Sequence, residues 1–461
     1  MMMQAKTMRD SAVARWGILL LISFVMGANY YFYDALSPLK STLEEFLNFS
    51  STDFGIVVGF YAFPNTFLLM AVLGGIILDK IGIRKTGFTF IFFMVIGALI
   101  TAYGATAYFN KGGFMFGFLG SFLPGFSPAV KMMALGMLFF GLGAETSIVV
   151  INKIMVKWFK GYEIALAFAI NLGIARFGTA LAYKVGPRLL EPGWTTPIWL
   201  ATSLICISFL AFLIYMIYDL RLDRQMKSPV ELHAAEDEFR LSDLGKLLTN
   251  RSFLFITMLC VTFYAAVFPF LKYAPDFFYN NYGVSREVSG DITFWLPIGT
   301  VFFTPIFGWV VDKKGKSATM MIYGSILLLL VHLVFAFTQF NPYVLVVALG
   351  IAFSLVPAAM WPSVAKIVRE DRIGSAYGLM FSLQNLGLFA VPILAGVILD
   401  ATNKHVTGGE ALDYTWTMLM FAVFGLVAII FALLLKHESK TSGYGLELPS
   451  SEGKMVEKSS G

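Results

Sequence analysis

The chain has 461 residues, of which 57% are hydrophobic and only 14% charged, with 46 phenylalanines and a formal net charge of +5. No soluble domain of this length needs so much apolar surface, and no nucleic-acid partner is expected from so small a positive balance.

Read in chain order, the apolar stretches predict twelve transmembrane helices, at about 16–37, 54–78, 86–107, 132–156, 163–186, 195–218, 252–275, 290–311, 318–338, 343–365, 375–399 and 415–435. Their lengths suit tilted helices and not porin strands of about ten residues, so the expected class is an all-α membrane protein. The first run reaches Ser37 without a small-residue cleavage site and reads as a retained helix. Residues 1–218 form the expected N-terminal six-helix bundle and 252–436 the C-terminal one, joined by a polar linker at 219–251 that is either solvated or a short surface helix. A disordered tail is expected over 437–461. With twelve spans both ends lie on one side, which carries 24 Lys or Arg against 8 opposite, so both termini are expected in the cytoplasm.

A single device occurs twice. GGIILDKIG at 74–82 and GWVVDKKG at 308–315 both read Gly-x-x-x-Asp-Lys-x-Gly, with their aspartates 233 residues apart. Gly75 and Gly308 would permit close helix approach, and Gly82 and Gly315 a tight turn. Asp79 and Asp312 could accept hydrogen bonds from a neighbouring helix start, while Arg84 and the adjacent lysines face the anionic leaflet. The pair of motifs resembles the signature of the major facilitator superfamily. That resemblance implies a 6+6 fold with alternating access, in which the motif Asp latches the cytoplasmic gate; the other reading is a turn that only sets topology.

A charge at mid-membrane costs about 2.5–3.5 kcal/mol by insertion scales, so it faces a partner or a cavity. Glu145 lies 14 residues before Phe159 and Arg176 lies 17 after it, on consecutive antiparallel helices. At about 1.5 Å rise per residue their heights nearly match. They are either a tether between two helices or a site for a zwitterion, the carboxylate held by the guanidinium fork and the ammonium by the glutamate. The repeat puts Ala359 and Ala390 at the corresponding places of the second half, so the charges belong to one half alone.

Further stretches carry a narrower resemblance: YFYD at 31–34, YAFPN at 61–65, the run 144–178, CVTFYAAVFPF at 260–270 and the run 358–387. They are similar to the lysosomal dipeptide-transporter branch of the same superfamily and its bacterial relatives. This implies uniport of dipeptides, with Glu145 at the peptide amino group and Arg176 at its carboxylate. Tyr61, Tyr264, Trp361, Gln384 and Asn385 are then expected to line the substrate site, each with plain interhelical contact as the alternative. Asp34, Asn152 and Asn171 are expected to orient Glu145 or Arg176 without touching substrate, and Lys153 to snorkel to the inner interface.

The compact tails lack an acidic dileucine signal, so a bacterial cytoplasmic membrane is expected in preference to a lysosomal one. A monomer in the lipid bilayer is expected, with an accessory subunit left open. No Cys/His metal cluster, Gly-x-Ser-x-Gly elbow or phosphate-binding loop occurs in the chain, so no enzyme activity, metal or cofactor is expected. The rival transport reading is a carrier of monocarboxylate, oxalate or nitrate-like anions, for which a lone Arg176 would suffice.

Overall fold

A computed structural model describes residues 7–225, 241–369, 372–406 and 410–449. These are overwhelmingly helical, with no strand among the described residues, and eleven helices are long and apolar enough to cross a membrane. The first half holds α1 (Ala12–Ala35), α2 (Ser51–Gly59), α3 (Met70–Ala105), α4 (Pro128–Phe159), α5 (Ile164–Val185) and α6 (Thr196–Gln225). The second holds α7 (Arg251–Tyr282), α8 (Arg286–Lys314), α9 (Ser317–Phe337), α10 (Pro342–Ile367), α11 (Ile373–Thr402) and α12 (Thr415–Ser442). Their starts are set by side-chain caps: Ser127, Asn250, Ser285 and Asn341 accept amide hydrogen bonds from the first turns of α4, α7, α8 and α10.

The second crossing is broken. After α2 the chain makes a tight turn at 60–62, a short helix Phe63–Phe67 and a left-handed residue, Leu69 (φ 52°), before α3 restarts at Met70. Pro64 has no amide to continue the helical ladder there. Asn65 caps the restart, its Oδ1 accepting from the Ala71 amide at 2.7 Å. α3 then bends at Gly82 (φ 83°, ψ 167°), which separates the end of the second crossing from the third. Gly315 (φ 67°) ends α8 in the equivalent place, a backbone region natural to glycine.

The polar segment between the halves is partly helical. α6 continues to Gln225, residues 226–240 lie outside the described ones, and Leu241–Thr249 form a short helix with Leu247 buried. The disordered tail expected from 437 is corrected over 437–449. α12 runs on to Ser442, and Gly443 and Gly445, both at positive φ, turn the chain back onto the second motif. The carbonyls of Glu447 and Leu446 accept from the amides of Lys316 (3.1 Å) and Ser317 (2.9 Å). The Glu447 carboxylate takes the Thr319 amide (2.9 Å) and hydroxyl (2.7 Å), so an anion sits at the start of α9, where free amides favour it. Residues 450–461 lie outside the described ones.

The two motif turns, the N-terminal segment and this C-terminal segment share one end of the molecule: the Met8 amide donates to Gln225 (2.7 Å), and Arg15 pairs with Glu163 (3.2 Å). At the opposite end the halves close on each other through α2 against α11 and α5 against α8. A Cβ at Gly55 would lie 2.4 Å from the Pro392 carbonyl oxygen, and one at Gly396 2.2 Å from that of Ser51, so glycine permits this approach. Tyr273 donates to the same two carbonyls, at 2.8 Å (Pro392) and 3.1 Å (Ser51).

Leu446 is fully buried in the docked segment. Leu446→Ala should therefore cost about 2 kcal/mol through lost burial and a residual cavity. A melt of the purified variant should show a lowered midpoint with membrane insertion unchanged.

Candidate functional site

Glu145 and Arg176 do not pair with each other. Glu145, on α4, is partly exposed and takes neutral donors, the Tyr61 hydroxyl on Oε1 (2.9 Å) and Asn65 Nδ2 on Oε2 (3.4 Å). Tyr61 reaches it because Gly141 stands one turn earlier on α4; a Cβ there would lie 2.0 Å from the Tyr61 carbonyl oxygen. Arg176, on α5, is also partly exposed, and its guanidinium lies between the rings of Tyr30 (5.8 Å) and Phe353 (5.3 Å). Among the described residues it has neither an ion pair nor a side-chain hydrogen bond. A cation over ring faces gains some attraction, but its five N–H donors remain available to an anion. The tether expected as one alternative is thus absent from this conformation.

Phe353 brings the second half to the site. Its ring meets Tyr264 edge-on at 5.8 Å, Tyr264 stacks on Phe268 at 5.5 Å, and the Tyr264 hydroxyl accepts from Trp361 Nε1 at 3.0 Å. Trp361 in turn stacks on Phe381 at 4.8 Å. Gln384 is buried beside Cys260, whose thiol donates to it at 3.5 Å, and Asn385 donates to the Phe381 carbonyl one turn back while its Oδ1 has no partner. Tyr61 thus joins Glu145 in one cluster, and Tyr264 and Trp361 join Arg176 in a second through Phe353, while Gln384 and Asn385 are buried on α11.

The three residues expected to orient the charges behave differently. Asn171 donates to Ser23 at 3.0 Å and ties α5 to α1. Asn152 is exposed seven residues beyond Glu145, close to the same helix face, and has no side-chain hydrogen bond among the described residues. Asp34 is buried in a cross-half ion pair with Lys272 (2.7 Å), which also donates to the Tyr33 carbonyl (2.6 Å). Beside it Lys40 pairs with Asp276 at 2.8 Å and Glu44 at 2.5 Å. Both lysines are among the eight basic residues expected on the outer side; they are buried instead, and α7 continues past the predicted 275 to Tyr282.

The ion pairs of the first motif lie within the first half among the described residues. Asp79 pairs with Lys153. Arg84 turns away from the leaflet onto Asp219 (2.8 Å) and Asp223 (2.5 Å), and Lys157 bonds the same two carboxylates at 2.7 Å each. Asp312 is exposed beside the second turn. Gly75 and Gly308 do not serve close approach here, since a Cβ on either would meet nothing within 4 Å; the contact belongs to Gly74, whose Cβ would stand 2.6 Å from Thr146 Oγ1. His332, in α9, is buried between Phe270 (5.2 Å) and Phe421 (5.5 Å).

The repeated turn and the paired six-helix bundles agree with a family model for the Major Facilitator Superfamily, which matches residues 19–285 and 273–452. The chain belongs to that superfamily. Among curated proteins it is 32% identical over 400 residues to the lysosomal dipeptide transporter MFSD1 of Bos taurus, covering 83% of this chain and 79% of that one. The Homo sapiens protein of the same name is 31% identical over 401 residues, covering 83% and 80%. The fold matches the nucleoside transporter NupG (TM-score 0.64, 17% identity, 91% of this chain and 98% of that one). It also matches a bacterial homologue of the human lysosomal transporter Spinster in an inward-facing, unoccupied conformation (TM-score 0.68, 15% identity, 93% and 98%). The relatives are transporters of small molecules, and the chain is a multi-pass membrane protein of that kind.

Gly141→Ala should push the 60–62 turn off α4 and part the Tyr61 hydroxyl from Glu145. A structure of the folded variant should show the 2.9 Å bond lengthened or lost.

Proposed function

We propose that this protein carries dipeptides with free termini across a membrane by alternating access, as a uniporter, with Glu145 receiving the ammonium and Arg176 the carboxylate. The observation that carries this reading is the separation of the two charges. Glu145 and Arg176, on consecutive helices, are both partly exposed, yet neither is neutralised by an ionic partner among the described residues. A zwitterion offers each the partner it lacks, and the aromatic wall formed by Tyr264, Phe353 and Trp361 suits its apolar body. The identity to the MFSD1 transporters supports the same substrate class. For a simple anion Glu145 would be a repulsive neighbour.

The motif end is the cytoplasmic end in this proposal, on the count of 24 basic residues against 8. The sealed opposite end then makes the conformation inward-facing, with Asp79 released from the other half and resting on Lys153. A bacterial cytoplasmic membrane is the proposed location.

Blocking either terminus of a dipeptide should weaken binding at least about tenfold, because each block leaves a desolvated charge unpaired. Counterflow in liposomes should show Glu145→Gln losing dipeptide far more than monocarboxylate, and Arg176→Lys losing both through the missing fork. Dipeptide counterflow at parental affinity by Glu145→Gln would overturn the assignment.

Asp79→Asn should shift the population toward the inward-facing state, since it removes the charge proposed to latch the opposite state. In a background lacking Cys206 and Cys260, a cysteine placed by Asn152→Cys should then react faster from the cytoplasmic side. An unchanged rate in the folded protein would leave the motif with topology alone.

A further inference from the structure

Between the Glu145 site and the sealed end runs an unbroken set of contacts that neither charge reading uses. The Tyr61 hydroxyl donates to Glu145 at 2.9 Å. The Tyr61 ring lies against the Tyr33 ring, with centroids 4.2 Å apart and planes at 51°. On Tyr33 rests the Lys272 ammonium, 3.2 Å from the ring centroid. That ammonium belongs to the other half of the molecule and is the cation of the buried pair with Asp34, whose same oxygen also accepts from Tyr183 at 3.1 Å.

We infer that Tyr33 is a positioning residue that couples occupancy of the Glu145 site to the Asp34–Lys272 pair closing the far end. The inference rests on the proposed dipeptide reading. A peptide ammonium arriving at Glu145 competes with the Tyr61 hydroxyl for the carboxylate. Tyr61 cannot turn freely, because Phe140 stands 5.9 Å from its ring and α4 abuts its backbone at Gly141, so its displacement moves the face on which Tyr33 leans. Tyr33 then withdraws its ring from a desolvated ammonium, where a cation–π contact is strongest. The Asp34–Lys272 pair is left with less support and the two halves part more readily at that end. Only the Tyr33 ring is required, since among the described residues its hydroxyl has no hydrogen-bond partner. The Tyr33 carbonyl still receives Lys272 whatever the side chain, so a substitution of the ring leaves the lysine placed.

The test uses spin labels at Phe46→Cys and Tyr343→Cys, exposed positions beyond the far ends of the two halves, in a full chain carrying Cys206→Ser and Cys260→Ser. Saturating alanyl-alanine should raise the long-distance population at least about twofold in this parent and in Tyr33→Phe. Tyr33→Leu should bind alanyl-alanine within about threefold of the parent by thermal shift, yet show a distance distribution that the dipeptide does not move. A dipeptide response in Tyr33→Leu equal to the parent's overturns the coupling. Should Tyr33→Leu fold poorly, the double variant Asp34→Asn with Lys272→Met removes the cation without stranding a buried charge. Its distances should be long with and without dipeptide, and short, dipeptide-responsive distances would again overturn the inference. Failure of the parent itself to bind alanyl-alanine would sink the proposed function instead, a result separable from any behaviour of the Tyr33 variants.

Discussion

Inside a bilayer an ion must find a counter-ion or a polar cavity, and that requirement organises this molecule. Its embedded charges meet three fates. Lys272 with Asp34 and Lys40 with Asp276 pair across the two halves and are buried. Arg84 and Lys157 pair with Asp219 and Asp223 inside the first half. Glu145 and Arg176 have no ionic partner among the described residues and are partly exposed. A pair within one half travels with that half and sets no barrier to its movement. A buried pair between halves must be separated when they part, and an unpaired buried charge is costly, so the closed end is held by interactions that need a substitute before they yield.

Much of this was legible in the sequence. The helical class, the duplicated six-helix plan and the turn glycines at 82 and 315 follow from apolar run length and a repeated motif, signals that local chemistry fixes. Glu145 and Arg176 could be brought to one height because helical rise is constant and both are counted from one turn at Phe159. Their partners could not be foreseen. Whether Arg176 meets a carboxylate or two aromatic rings depends on rotamers and helix rotation, which a count of residues does not contain.

The misreadings share a cause. Hydropathy marks the apolar part of a helix and not its full length: α7 runs past the predicted end at 275 to Tyr282, and Lys272 and Asp276 are buried in the protein interior. Gly75 looked like the contact residue of the motif, but helix rotation assigns that contact to Gly74. The tail read as disordered on composition, whereas residues 443–449 gain order from amides offered by the neighbouring helix start, a tertiary effect invisible to a local window.

The interruption between Phe67 and Met70 has a mechanical meaning. An unbroken helix behaves as a stiff rod, and any twist imposed at one end of it would arrive at the other. Here the rod is cut near the level of Glu145 and rejoined through one left-handed residue and the amide bond of Asn65, the same side chain that touches the carboxylate. The stretch gripping α11 and the stretch bearing Asp79 are therefore two levers on one joint. The joint's pivot lies beside Glu145, so under the proposed function the angle between the levers is set where a dipeptide would bind.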